Sequence, residues 1–211
     1  DMRTTCLIVL LSAVLPAIGH AAKLPTSADA TCFQESYDQE ALGHNQEALA
    51  ALDRLSPAGN GSYVALLRRG WLQYRLGKNG LAADAYTKAI GLAPKAIEPR
   101  LGILLPLLAD KQWSAVEMHA RDVLKVDLRN YLATLRLAFA LYNEGKLVES
   151  QSLYQKLVDA YPSDAEARSG LGWALFKLGK TKEAAAVFRA LLDFSPKNVL
   201  AQQGLAAAAN K

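Results

Sequence analysis

The chain has 211 residues, of which 51% are apolar and 21% charged, with 24 Lys+Arg against 20 Asp+Glu. That length suits one domain or one repeat array with a sizeable core, and the composition excludes a mainly disordered chain. A net charge of +4 supplies no concentrated basic face for nucleic acid, and two cysteines make neither a disulfide framework nor a four-ligand zinc site.

The first element reads as an export signal. Arg3 precedes the apolar run Cys6–Ile18, and small residues follow at Gly19-His20-Ala21. A positive start, an apolar centre and a small-residue step are the parts of a secretory signal peptide. The alternatives are a core helix or a membrane anchor, but an anchor needs roughly 18–20 apolar residues and this run is shorter and contains Pro16. The expectation is a signal over 1–22, cut after Ala21 or Ala22, then a linker over 23–28. The mature protein would then be periplasmic or secreted, with no transmembrane anchor left. Cys32 would be its sole cysteine and reads as a small buried apolar side chain, with pairing to another chain as the alternative.

From Asp29 onward the chain repeats with a period of 34. Pro94, Pro162 and Pro196 are 68 and 34 residues apart, with Leu128 filling the missing step. Gly43, Gly77, Gly145 and Gly179 keep the same spacing, with Lys111 in the gap. Ala48, Ala82 and Ala184 form a third column, interrupted by Val116 and Ser150; Tyr86, Tyr154 and Phe188 form a fourth, with Leu52 and Ala120 in its other places. Several columns in one frame point to a repeat architecture.

Each period holds two helical patterns. Ala167, Leu171, Ala174 and Leu175 recur at helical spacing until Gly179 ends the first, and Ala184, Val187, Phe188 and Leu191 mark the second until Ser195-Pro196. Gly70 and Gly172 lie inside first helices, where the missing Cβ lets the paired helix approach. Two departures are expected. Ser56-Pro57-Ala58-Gly59-Asn60-Gly61 reads as a loop that shortens the second helix of the first repeat. Pro106 falls mid-helix in the third repeat and should kink or break it, at a cost of about 3 kcal/mol.

These columns resemble the tetratricopeptide repeat, a helix–turn–helix of 34 residues. The strongest matches are Leu66…Gly70…Leu76-Gly77…Ala82…Tyr86…Ala89…Pro94 and Leu171-Gly172…Leu178-Gly179…Ala184…Phe188…Pro196. Taken with the N-terminal signal, the chain resembles an exported bacterial protein of this family. Its fold would be all-α, a right-handed superhelix (solenoid) of about five repeats over 29–62, 63–96, 97–130, 131–164 and 165–198. A capping helix over 199–211 would complete the domain 29–211.

No catalytic chemistry is legible. The repeat region has only His44 and His119, far apart, and no metal-ligand spacing, phosphate loop or nucleophile elbow. Glu117, Asp122 and Asp127 fit a solvated helix face. Asn60-Gly61-Ser62 matches a glycosylation acceptor pattern, and a short turn explains it equally well. The expectation is a non-enzyme without a cofactor.

The resemblance implies that the first helix of each repeat lines a concave groove where ligands lie. On this chain the groove would carry Tyr37, Trp71, Tyr74, Arg75, Phe139, Tyr142, Asn143, Trp173, Phe176 and Lys177. With Phe33, eight of the chain's 16 aromatic residues (3 Trp, 8 Tyr and 5 Phe) fall on that surface. Relatives that clamp a terminal carboxylate use Asn and Lys there; Trp71, Phe139 and Trp173 stand where that clamp has Asn, so no such clamp is expected. The function expected is an interaction scaffold in the cell envelope, holding an extended or helical partner segment on the aromatic groove. The alternative partner is a polysaccharide, in exopolysaccharide export or cell-wall assembly. Such sites also need several carboxylates or amides, and only Glu40, Glu98, Asn143 and Glu166 are near. Self-association through Leu200 and Leu205 is a third option, so the sequence leaves the oligomeric state open.

Overall fold

The computed structural model describes residues 27–210, and every regular element among them is helical. The export signal and residues 23–26 of the expected linker lie outside the described residues. In chain order the helices are α1 (Ser27–Ala41), α2 (Asn45–Ala51), α3 (Pro57–Asn60), α4 (Tyr63–Arg75), α5 (Asn79–Leu92) and α6 (Glu98–Ala109). They continue with α7 (Trp113–Val126), α8 (Tyr131–Asn143), α9 (Leu147–Ala160), α10 (Ala165–Lys177), α11 (Thr181–Phe194) and α12 (Val199–Ala209). From α3 onward each helix packs on the next in sequence, α2 packs on α1 and α4, and α4, α6, α8, α10 and α12 also touch one another in succession. The result is an all-α superhelical repeat whose buried residues form three hydrophobic clusters along the array. α1 takes in Ser27 and Ala28, which the sequence reading leaves in the linker.

Local chemistry sets the helix limits. Ser62, Asn130, Asp164 and Asn198 cap the first helices α4, α8, α10 and α12, each side-chain oxygen accepting from a backbone N–H two or three residues on at 2.9–3.3 Å. Such a cap satisfies an N–H that the helix leaves unpaired, typically for about 1 kcal/mol. Ser62 therefore has a structural task, and Asn60 accepts from Arg69 at 2.8 Å, as the turn reading of that segment expects. The same segment shortens the first repeat: α2 has 7 residues, followed by a 3-10 turn at Leu52–Arg54 and the single turn of α3.

Between paired helices the chain turns through a left-handed residue. Gly43, Gly77, Gly145 and Gly179 have φ of 71–82°, and Lys111 adopts φ 56° in the same place. A side chain in that conformation costs roughly 1–2 kcal/mol, and Lys111 bears it because flanking helices fix the turn. Lys111→Gly is accordingly expected to stabilise the chain by about 1 kcal/mol and raise the thermal midpoint by about 2–4 °C. Thermal unfolding followed by circular dichroism measures this; an unchanged or lower midpoint contradicts the strain.

The core is organised around second-helix rings. Tyr86 of α5 lies between Gly70 of α4 and Gly102 of α6, and a Cβ at either glycine would overlap the ring. Phe188 of α11 is held the same way between Gly172 of α10 and Gly204 of α12, and Tyr154 of α9 lies against Gly170. All three rings are almost fully buried. Where Ser150 replaces the small apolar residue of its column, its hydroxyl donates to the Ala138 carbonyl at 2.8 Å, so the buried polar group is satisfied. Cys32 is half-buried against the core formed by α1, α2 and α4.

Pro106 does not break its helix. α6 runs continuously from Glu98 to Ala109, and the Pro106 carbonyl accepts from Asp110 N at 3.1 Å. Proline removes one bond, to Gly102 four residues earlier. Pro106, Ile103, Leu104 and Leu107 are all buried, and that burial overrides the local penalty.

The ring slots yield a paired prediction. Gly172→Ala and Gly204→Ala should each destabilise by about 1–3 kcal/mol, because the added methyl enters the Phe188 ring. Gly91→Ala, in α5 with open space around it, should stabilise by about 0.5–1 kcal/mol. Chemical denaturation of the three variants tests it; destabilisation of equal size at all three sites contradicts the slot.

Candidate functional site

The first helices bring the expected groove residues together in two separate clusters. In the N-terminal one, Tyr37 of α1 and Trp71 of α4 border a cavity of about 300 Å³, with Leu67, Arg68 and Glu98. In the C-terminal one, Phe139 and Tyr142 of α8 and Trp173 of α10 border a cavity of about 600 Å³, together with Tyr154, Glu166, Ser169, Asn198 and Leu200. Between them α6 presents Leu101, Leu105 and Leu108, with no aromatic. The single aromatic stripe of the sequence reading is thus two patches of different chemistry.

The N-terminal patch is polar and internally satisfied. Arg68 is 6% exposed; it donates to Ser36 Oγ at 3.1 Å, to the Ser36 carbonyl at 2.7 Å and to Glu40. Its guanidinium lies 3.9 Å from the Tyr37 ring centre. The Trp71 indole N–H also donates to Glu40, and Arg75 approaches that carboxylate at 3.9 Å while lying over the indole. Tyr74 packs at 6.1 Å from the Trp71 ring. Trp71 is therefore a half-buried member of a network, where the sequence reading has it open to the groove. Tyr37, 50% exposed, is the most open aromatic of this patch.

Burial alone pushes the Glu40 carboxyl up, but hydrogen bonds from Trp71 and Arg68 and the charges of Arg68 and Arg75 outweigh it and hold it below the ordinary 4.5. A carboxylate lowered in this way contributes stability that is complete above its unfolded value and is lost as pH falls through the folded one. Glu40→Gln should thus unfold more easily than the parent at neutral pH. The difference should shrink as pH falls below about 4 and the parent loses the same charge. Urea midpoints across that range decide it; a constant gap would show that Glu40 acts without its charge.

The C-terminal patch is apolar and open. Phe139 is 40% exposed and meets Trp113 edge-on at 5.7 Å. Lys177 Nζ lies 4.1 Å from the centre of the Tyr142 ring, and burial pushes the Tyr142 phenol up. Trp173 packs edge-on against Phe176 at 5.7 Å and Phe188 at 5.6 Å, so it belongs to the core as well as to the cavity. Phe176 backs Trp173 and does not border the cavity. Asn143 is exposed, and its amide donates one hydrogen bond to the Phe139 carbonyl of its own helix at 2.8 Å. Glu166 is paired with Arg136 at 2.6 Å. Two polar atoms here have no partner: Ser169 Oγ and the Trp173 indole Nε1, both buried. Each such orphan costs about 1–3 kcal/mol.

The architecture now has a name. The tetratricopeptide repeat pattern matches residues 33–97 and 135–199, which together make up more than half of the chain. The chain belongs to the tetratricopeptide repeat family. Its fold is shared with solved members at low identity. MamA (residues 41 to the end) from Desulfovibrio magneticus RS-1 is 20% identical, with a TM-score of 0.77 over 82% of this chain and 98% of that one. A tetratricopeptide repeat protein from Parabacteroides merdae is 19% identical, with a TM-score of 0.79 over 88% and 73%. YrrB, described as a tetratricopeptide repeat protein with an unusual peptide-binding site, is 17% identical, with a TM-score of 0.71 over 82% and 89%. No curated protein sequence matches the chain significantly. Family and fold are typically those of non-catalytic scaffolds. Among the described residues no group of three or more His, Cys, Asp or Glu is placed to hold a metal ion, and no helix is long and apolar enough to cross a membrane.

Arg68, Ser36 and Ser169 are absent from the sequence-derived site. Arg68 had a signal: it falls in the column of Gly102, Gly170 and Gly204, where a buried arginine is conspicuous.

Proposed function

We propose that the chain is a non-enzymatic interaction scaffold of the cell envelope that holds a segment of a partner protein on the face formed by its first helices. The observation that carries this reading is the C-terminal cavity of about 600 Å³, walled by Phe139, Tyr142 and Trp173 from successive first helices. Open aromatic concavities are where binding energy concentrates. The peptide-binding site named for YrrB supports the same use of the fold. Residence in the envelope rests on the N-terminal signal read from the sequence. A polysaccharide fits this cavity less well: Glu166 is engaged by Arg136 and the Asn198 side-chain oxygen caps α12, which leaves few carboxylates or amides for sugar hydroxyls.

Phe139→Ala tests the proposal with least risk to the core, because the side chain is partly exposed. It should weaken the partner recovered from the periplasmic fraction by about tenfold or more, with helical content unchanged. Lys182→Ala, exposed on the second helix α11, should leave recovery unaltered. Equal recovery by wild type and Phe139→Ala contradicts the groove.

A further inference from the structure

Resting on that reading, we infer that the C-terminal cavity takes an uncharged internal stretch of a polypeptide, large apolar side chains with one main-chain carbonyl, and not a chain's terminal carboxylate.

Three observations carry this. First, a volume of about 600 Å³ lies within the range of about 300–1,000 Å³ that holds drug-sized ligands, which is more than one side chain needs. Second, Ser169 is 3% exposed and its hydroxyl has no partner, although a helical serine can donate to the carbonyl four residues back. The Trp173 indole N–H, one turn further along α10, is also unpaired. An indole N–H can only donate, so what completes it must bring an acceptor. Both residues border the cavity, and both atoms are shielded from water. Third, no Lys or Arg borders the cavity, and its one charged lining residue is Glu166. Arg136 is held by Glu166, and Lys177 lies against the outer ring Tyr142. A carboxylate placed there would be desolvated without a counter-charge; a peptide carbonyl would not. Side-chain anchors plus one carbonyl describe the middle of a segment.

The test uses peptides selected from a random 12-residue library on the full chain, with free and amidated C-termini. Peptides carrying paired large apolar residues should be recovered, and amidation should leave their affinity unchanged. Ser169→Ala and Trp173→Phe should each weaken them by about tenfold. The Trp173 indole proton should move downfield on binding in the unmutated chain, a change that apolar contact alone does not give, so the test stands even where Trp173→Phe unfolds. Peptides that fail on Phe139→Ala yet ignore Ser169→Ala and leave the indole proton in place overturn the inference while keeping the groove. Peptides that require a free carboxylate overturn it too. Selected peptides indifferent to Phe139→Ala and Tyr142→Ala overturn the groove itself.

Discussion

An aromatic ring on a second helix needs a flat, Cβ-free slot, and first helices on either side provide it. Tyr86 fits between Gly70 and Gly102, and Phe188 between Gly172 and Gly204. Each slot binds a repeat to the next, so closing a helix pair and stacking it are one event. A helical glycine costs about 1 kcal/mol relative to alanine, and a fully buried phenylalanine returns about 1.5–3 kcal/mol. Two slot glycines and one ring nearly balance, and because the ring is shared between neighbouring repeats it couples one to the next.

The candidate site grows out of the same junctions. Tyr154, pressed against Gly170, forms the floor of the C-terminal cavity, and Trp173 leans on Phe188 from the adjoining slot. The cavity is therefore built directly on the buried ring junctions. The N-terminal patch is built differently. There Arg68 occupies the place of the slot glycine and turns toward Ser36 and Glu40, where the glycine junctions hold an aromatic ring. One periodic frame thus yields a closed polar end and an open apolar end.

Much of this was legible from residue spacing. The turn glycines, the ring column and Gly70 with Gly172 announced the helix pairs because each acts within its own repeat. The shortened first repeat was visible in Ser56–Gly61. Other features were hidden by the distance over which they act. Gly102, Gly170 and Gly204 serve the ring of the preceding repeat, and reading them requires pairing positions across a junction. Trp71 looked open because its partner, Glu40, lies in another repeat. Pro106 looked disruptive because propensity weighs one helix alone, while buried neighbours hold α6 on both sides. Ser169 carries no signal of its own: nothing in sequence says that a serine will lack a partner.

The junctions also limit how such a chain can be rearranged. Each ring in Tyr86, Tyr154 and Phe188 is followed sixteen residues on by a glycine, whereas Leu52 and Ala120, which are not rings, are followed at that interval by Arg68 and Arg136. The array therefore has two kinds of joint, and they are not interchangeable. Deleting one period, 97–130, would set the Tyr86 ring against Arg136, where no slot exists. Deleting two, 97–164, would set it against Gly170 and restore the fit. The chain's length can therefore change by 68 residues at that point more easily than by 34.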